Sequence, residues 1–394
     1  RVTFRRIPEL LQIGDHGGMK SIEATGEKIN MDWISEEFED LDDPTTYAVD
    51  PAGVYGWIER NDAMLEDGFR KFMGKIDLAD YKARDIREVL ICGMGGSAIS
   101  GDVAKAVIYR ELDVPVSVVR GYTQPGSLGK GTLQVIVSYS GNTEESIWAY
   151  TQGHNRGAYI VVITSGGALK ELAERNGHPM VLLPDDYPAP RLAIGHLLTA
   201  VLAVVESAFD GLEHVPEFLS DAVTSLNRGV RRYQRELPFD RNMAKKLAHD
   251  LHKAVPVVVG SALTWPAALR FQAQLNENSK WPCFVSTIPE MNHNEIVAYT
   301  QPGPVSGKIG LVMLVDKDDH PRVQFRQEFT SDMVDKRISW VNHVKGEGKT
   351  LLGRLMSMMQ TADFASYYLA CARGIDPLKI EAIDTLKERL GKLQ

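Results

Sequence analysis

The stretch Ser138-Tyr139-Ser140-Gly141-Asn142-Thr143-Glu144-Glu145 follows directly on the apolar run Leu133 to Val137. The pattern predicts a buried strand that stops at a turn and feeds a helix beginning near Glu144. A helix start leaves backbone N–H groups unpaired and carries partial positive charge, so it attracts anions, and Gly141 lets the backbone approach a ligand closely. Ser138, Ser140 and Thr143 add hydroxyls to those amides, with Asn142 in support, and no Lys is present. A sugar phosphate suits such a cup better than a nucleoside triphosphate does, because the GxxxxGK[ST] pattern that brings a Lys to the phosphates is missing. Any one of these hydroxyls alone is more simply explained as a helix cap. Their clustering at the end of a strand favours a ligand.

A second turn of the same kind sharpens the reading. Glu88 to Cys92 predicts a strand, and Gly93-Met94-Gly95-Gly96-Ser97-Ala98-Ile99-Ser100-Gly101-Asp102 turns from it into a helix, with Gly96 and Ser97 at the bend. GxGG alone is a weak signal, easily confused with a dinucleotide fingerprint, but paired with the Ser-rich turn it becomes specific.

Other candidates for chemistry lie downstream. Glu295 ends the polar string Pro289-Glu290-Met291-Asn292-His293-Asn294-Glu295, ahead of an apolar helix start at Ile296. An isolated Glu there is commonly a first-turn residue complementing the helix dipole. His320, in Asp316-Lys317-Asp318-Asp319-His320-Pro321-Arg322, stands between a strand and a helix, a place usually held by a cap or a surface residue. Arg191 opens a long apolar helix after Pro190; a cation at a helix start is mildly unfavourable, and that misfit points to function.

Taken together, GMGGSAISGD, SYSGNTEES, ITSGG at Ile163 to Gly167, Pro190-Arg191 and NHNE at Asn292 to Glu295 resemble the sugar isomerase (SIS) superfamily. Within it they resemble the bifunctional phosphoglucose/phosphomannose isomerases, from about Glu88 to the C-terminus. The resemblance implies a cofactor-independent aldose-ketose isomerase acting on a small sugar phosphate, with no metal. It implies Glu295 as the base, His293 in a supporting role and Arg191 as the residue that stabilises the enediolate. His320 would assist ring opening from the other subunit of a homodimer with shared sites. A lysine near the C-terminus is also implied: Lys387 is the choice and Lys379 the alternative. A family threonine linked to mannose 6-phosphate has only Thr385 nearby. A non-catalytic sugar-phosphate sensor is the competing reading, but a sensor has no need of Glu295, His320 and a late Lys together. A glucosamine-6-phosphate synthase would carry an amidotransferase domain with an early nucleophilic Cys; the first Cys here is Cys92, inside a strand.

Composition agrees. With 394 residues, 44% hydrophobic and 24% charged, the chain suits two domains better than one core. A net charge of −8 argues against a nucleic-acid partner. No run of membrane-spanning length and no signal pattern is read, so a cytoplasmic protein is expected. Cys92, Cys283 and Cys371 have no metal-type spacing and are read as small buried hydrophobes.

The βα rhythm through the chain predicts an α/β fold of two αβα sandwich SIS domains, each with a mainly parallel sheet. Residues 1–50 are expected to form an arm, part of it a translated leader or a disordered tail. Residues 51–210 are expected to hold a helical lead-in, read as an amphipathic helix from Pro51 to about Ile76, and the first domain. A solvated helical connector is placed at 211–253, and the second domain with C-terminal helices at 254–394. Ligands of such sheets sit at the carboxyl ends of strands, where both Ser-rich turns fall.

Overall fold

The structure, a computed structural model, describes residues 38–392 except 83, 302 and 304. The expected arm at 1–50 therefore lies mostly outside the described residues. In its described part, Leu41 is buried, Pro44–Val49 form a 3₁₀ turn, and Tyr47 stacks on Tyr367.

Helices α1 (Val54–Glu59), α2 (Asn61–Phe72) and α3 (Ala79–Lys82) lead in. The first half then runs β1 (Glu88–Cys92), α4 (Gly95–Ile108), β2 (Val116–Val119), β3 (Thr132–Val137), α5 (Glu144–Arg156), β4 (Tyr159–Thr164), α6 (Gly167–Asn176), β5 (Met180–Leu182) and α7 (Ile194–Ala208). Helices α8 (Val215–Tyr233) and α9 (Met243–His252) follow. The second half runs β6 (Val255–Gly260), α10 (Trp265–Asn278), β7 (Phe284–Thr287), α11 (Glu295–Thr300), β8 (Ile309–Val315), α12 (Pro321–Val334), β9 (Trp340–Lys345), α13 (Leu351–Ala372) and α14 (Glu381–Leu390).

Two all-parallel sheets result, ordered β2-β1-β3-β4-β5 and β7-β6-β8-β9. Parallel strands carry near-continuous apolar runs because helices cover both faces. In the first sheet, Leu90, Cys92, Ile136, Ile160 and Val162 pack on Ala149 and Tyr150 of α5 and on Leu169 and Ala173 of α6. Strand residues alternate faces. Accordingly, Ile91 points the other way, against Gly101 of α4.

Helix α13 is buried along nearly its whole length, lying against α8, α9 and α10. A helix apolar on every side belongs inside a protein. The same holds for Pro190–Ala208: contrary to the expectation that no run reaches membrane-spanning length, this helix is apolar enough by length and composition to cross a membrane, but it is 89% buried here.

Two expectations need correcting. The lead-in is not one helix: it breaks at Arg60, with α1 against α13 and α2 against α7 and α8. The segment 211–253 is helical but not merely solvated. Helix α8 buries Leu219, Ala222 and Leu226 against its neighbours, and the Lys245 side chain is fully buried. Its ammonium donates to Leu41 O, Arg235 O and Asp42 Oδ1 at 2.8–2.9 Å, the pairing a buried charge requires.

Candidate functional site

Adjacent parallel strands bring the two Ser-rich turns together. Cys92 pairs with Ile136, so both turns leave the same edge of the first sheet. A Cβ placed on Gly93 would stand 2.8 Å from Val137 O and 3.2 Å from the Ser97 Cβ, which explains why a glycine sits there. Gly141 has φ +68°, and a Cβ on it would fall 1.8 Å from Gly166 O, so the turn closes only with glycine.

The hydroxyls are not consumed as caps. Thr143 occupies the N-cap of α5 without a capping bond; its Oγ1 instead accepts from Ser138 Oγ at 2.9 Å. Ser140 is exposed, its Oγ accepting from Asn142 N at 3.3 Å, while Asn142 Oδ1 accepts from Ala168 N at 3.0 Å and ties this turn to the start of α6. Ser97 is buried in the first turn of α4, whose N-cap Met94 offers no side-chain acceptor. The first-turn amides of two helices and a set of hydroxyls thus face one edge, an arrangement suited to an anion.

Arg191 joins the same edge. A Cβ on Gly96 would lie 3.3 Å from Arg191 Cα and from Pro190 O, so Gly96 is what lets this turn rest on α4. The side chain, however, is not in solvent: it is 4% exposed. Nε donates to Asn278 Oδ1 at 2.9 Å, Nη1 to Glu277 Oε2 at 3.2 Å, and Nη2 to Pro377 O and Leu378 O at 2.9 and 3.0 Å. Burial and the neighbouring Arg270 pull its pKa down while Glu277 and Asp376 push it up. Because an arginine starts so high, it stays cationic. Arg270 in turn donates to Arg191 O at 3.2 Å and is held by Asp363 at 2.8–2.9 Å, both side chains buried. Arg191 therefore stitches the first sheet's edge to the end of α10 and to the turn before α14.

Glu295 stands at the carboxyl edge of the second sheet, beyond β7 and a 3₁₀ turn at Glu290–His293. Its Oε1 accepts from Ser286 Oγ at 2.7 Å and its Oε2 from Tyr299 OH at 3.1 Å, so two hydroxyls fix the carboxylate's orientation. Burial first, and then Glu295 itself, raise the pKa of Tyr299, which keeps it a donor. His293 is exposed, and Asn292 Nδ2 donates to Thr330 Oγ1 of α12 at 2.8 Å.

His320 is the N-cap of α12; its Nδ1 accepts from Arg322 N at 3.1 Å, which leaves Nε2 facing outward. At 1.5 Å per residue, His320 lies about 15 Å along α12 from Thr330, where the Glu295 segment is tethered. Lys387 lies on α14, which buries none of its residues, and Lys379 is exposed, 3.9 Å from Asp376. Thr385 is exposed on the same helix.

The structure thus brings Ser97, Ser138, Ser140, Thr143, Gly96, Asn142 and Arg191 to one edge. Among the described residues, no hydrogen bond or ion pair joins Glu295, His320 or Lys387 to that group. Ser286, Tyr299, Arg270, Asp363 and Lys280 carry no signal in the sequence reading. Of these only Tyr299, one helical turn after Glu295, could have been found by spacing.

Residues 83–205 match the SIS domain model, and residues 240–390 match the bacterial phospho-glucose isomerase C-terminal SIS domain. The chain is similar to the bifunctional phosphoglucose/phosphomannose isomerase of Caldicellulosiruptor bescii, at 36% identity over 82% of this chain and 95% of the relative. The enzyme of that name from Aquifex aeolicus is 33% identical over 80% of this chain and 92% of its own. A D-glucosamine-6-phosphate 4-epimerase of Sulfolobus acidocaldarius is 30% identical over 80% and 94%. The fold is shared with the C-terminal domain of glucosamine-fructose-6-phosphate aminotransferase from Francisella tularensis, with a TM-score of 0.66 at 15% identity, covering 82% of this chain and 97% of that one. Local motifs at two sheet edges, two SIS-type matches and identity above 30% over most of both chains agree, and the chain belongs to the bifunctional phosphoglucose/phosphomannose isomerase family.

Proposed function

We propose that this protein interconverts glucose 6-phosphate, and mannose 6-phosphate, with fructose 6-phosphate through an enediol. The observation that carries the reading is the set of uncapped hydroxyls and helix-start amides at one sheet edge with Arg191 beside them. The division into sandwiches at 51–210 and 254–394 with a helical segment between is part of the same proposal.

In this reading the phosphate rests on Ser97, Ser138, Ser140 and Thr143. Glu295, oriented by Ser286 and Tyr299, takes the proton from carbon 2 of the open-chain aldose; the electron pair moves through the enediolate, the hydroxyl proton on the carbon-2 oxygen passes to the carbon-1 oxygen, and the carboxyl, its proton exchanging with solvent meanwhile, delivers a proton to carbon 1. Carbon 2 is oxidised and carbon 1 reduced, so the reaction balances with no cofactor. Arg191 supplies positive charge as the oxyanion develops. Glucose and mannose phosphates differ at carbon 2 and share this enediol, which is why one base can serve both. Lys387 completes the proposed set from α14, with Lys379 as its alternative.

Coupled assays starting from fructose 6-phosphate, reading glucose 6-phosphate and mannose 6-phosphate separately, test the reading. Formation of neither would reject it. A 4-epimerase would instead invert carbon 4 of an amino sugar phosphate, which neither assay reports. Ser140→Ala is expected to raise KM several-fold with a smaller change in kcat, because phosphate contacts exist in ground and transition states alike. An unchanged KM would remove Ser140 from the cup.

A homodimer with shared sites is the second part of the proposal. His320 stands far along α12 from the tether of the Glu295 segment, which suits service at a neighbour's site. Phe325 and Phe329, stacked on the same helix, are 66% and 46% exposed, as is Val297 of α11 at 62%, an apolar surface that a second copy would cover. Mixing Glu295→Gln with His320→Ala subunits is expected to restore activity, since one hybrid site holds both intact residues. Verified hybrids that stay inactive would show that His320 is not donated across an interface.

A further inference from the structure

Helix α10 ends with a residue in the wrong conformation for its type. Trp281 N donates to Leu275 O at 3.1 Å, a closure that requires a left-handed residue just past the helix, and Lys280 supplies it with φ +51°. That place usually belongs to glycine, sometimes asparagine. Among the described residues Lys280 is the only non-glycine with positive φ. A side chain kept at a position where it costs backbone strain points to work done by that side chain.

Its ammonium shows where the work lies. Nζ donates to Asp376 O at 2.6 Å and to Asn278 O at 3.2 Å. The carbonyls that follow Asp376, those of Pro377 and Leu378, are taken by Arg191 Nη2, while Arg191 Nε is on the Asn278 side chain. Two cations therefore grip consecutive carbonyls of the turn that leads into α14, and both brace against Asn278. We propose that Lys280 is a positioning residue of the active site, holding the 376–378 turn so that Arg191 and the start of α14 keep their places. The proposal rests on the isomerase reading above.

The charges around Lys280 are Arg191 from the turn before α7, Glu277 from α10, Asp376 from the turn and Glu381 from α14, with Arg373, at the end of α13, donating to Ser279 O at 2.7 Å and lying over the Trp281 ring on either side of it. Burial, and next Arg191, bring the ammonium down to about 8, against the three carboxylates, which hold it up. Because this pKa is lowered, the folded protein loses the cation as pH rises through that value. Charge-assisted bonds to the turn weaken with it. The alkaline limb of kcat is therefore expected near pH 8.

Lys280→Met, Lys280→Gly and Lys280→Arg in the full chain test this. Met and Gly should lower kcat by about tenfold or more while KM stays within about twofold, since the phosphate cup is untouched. Lys280→Gly should melt no lower than the parent because it relieves the backbone, so activity and stability part company. Lys280→Arg should retain most of kcat and move the alkaline limb upward, its guanidinium staying charged. Hydrogen exchange across residues 376–390 should quicken in Met and recover in Arg. A Met variant with parental kcat, alkaline limb and exchange would overturn the proposal. An inactive parent whose 376–390 segment still loosens in the Met variant would fault the isomerase reading and support Lys280's hold on the turn.

Discussion

Glu295→Gln is expected to lower kcat by roughly a hundred- to ten-thousand-fold, the usual worth of a positioned general base. The substitution keeps the side chain's length and one accepting oxygen for Ser286 Oγ or Tyr299 OH, while its amide NH2 can donate to the other hydroxyl, so the local structure should persist. What it loses is the capacity to take and return a proton. Binding of an unreactive sugar-phosphate analogue should change little, because the cup stands on the first sheet's edge and Glu295 on the second's. A linear acid phosphate resembling the enediolate should bind the parent more tightly than substrate does. A Gln variant with near-parental kcat would remove Glu295 from the mechanism.

Asp363→Ala is expected to destabilise the protein by about 3–5 kcal/mol, the cost of leaving a buried cation without its partner. Asp363 takes two bonds from Arg270 and one from Gln274, with Arg270 and Asp363 both about 2% exposed. Freed of Asp363, Arg270 would also loosen from Arg191 O, so activity should fall together with Tm. Replacing both members, as Arg270→Met with Asp363→Leu, should recover much of the stability, because the penalty arises from an unpaired charge. Activity should recover less, since the support for Arg191 is gone. A single Asp363→Ala variant with parental Tm would contradict this account of how the two halves are joined.

Much of the fold is legible in the sequence because its strands are uninterrupted apolar runs bounded by Gly, Pro or polar turns. Glu88–Cys92, Val116–Val119, Val255–Gly260 and Ile309–Val315 are strands at the bounds that pattern predicts. The break at Arg60 is not legible, since apolar spacing continues across it on both sides. Charged residues mislead most. Lys245 falls in the segment expected to be a solvated connector, and nothing local marks Arg270 or Arg354 for burial, yet each is buried and paired, and only tertiary packing decides that.

The candidate site divides along the same line. The Ser-rich turns follow from local strand-turn-helix logic, and their hydroxyls lie where that logic puts them. Arg191 is identified by type, but its burial against Glu277 and Asn278 depends on a segment far along the chain. Lys280 is invisible because nothing in Asn-Ser-Lys-Trp announces a left-handed lysine; the carbonyl of Asp376 that its ammonium reaches belongs to a distant turn.

The most direct test of the central claim is to incubate the protein with fructose 6-phosphate in deuterium oxide and follow the products by NMR. Glucose 6-phosphate and mannose 6-phosphate should carry solvent deuterium at carbon 2, with the exchange abolished in Glu295→Gln. Aldose formed without any deuterium at carbon 2 in either product, or exchange that persists in the Gln variant at the parental rate, would contradict it.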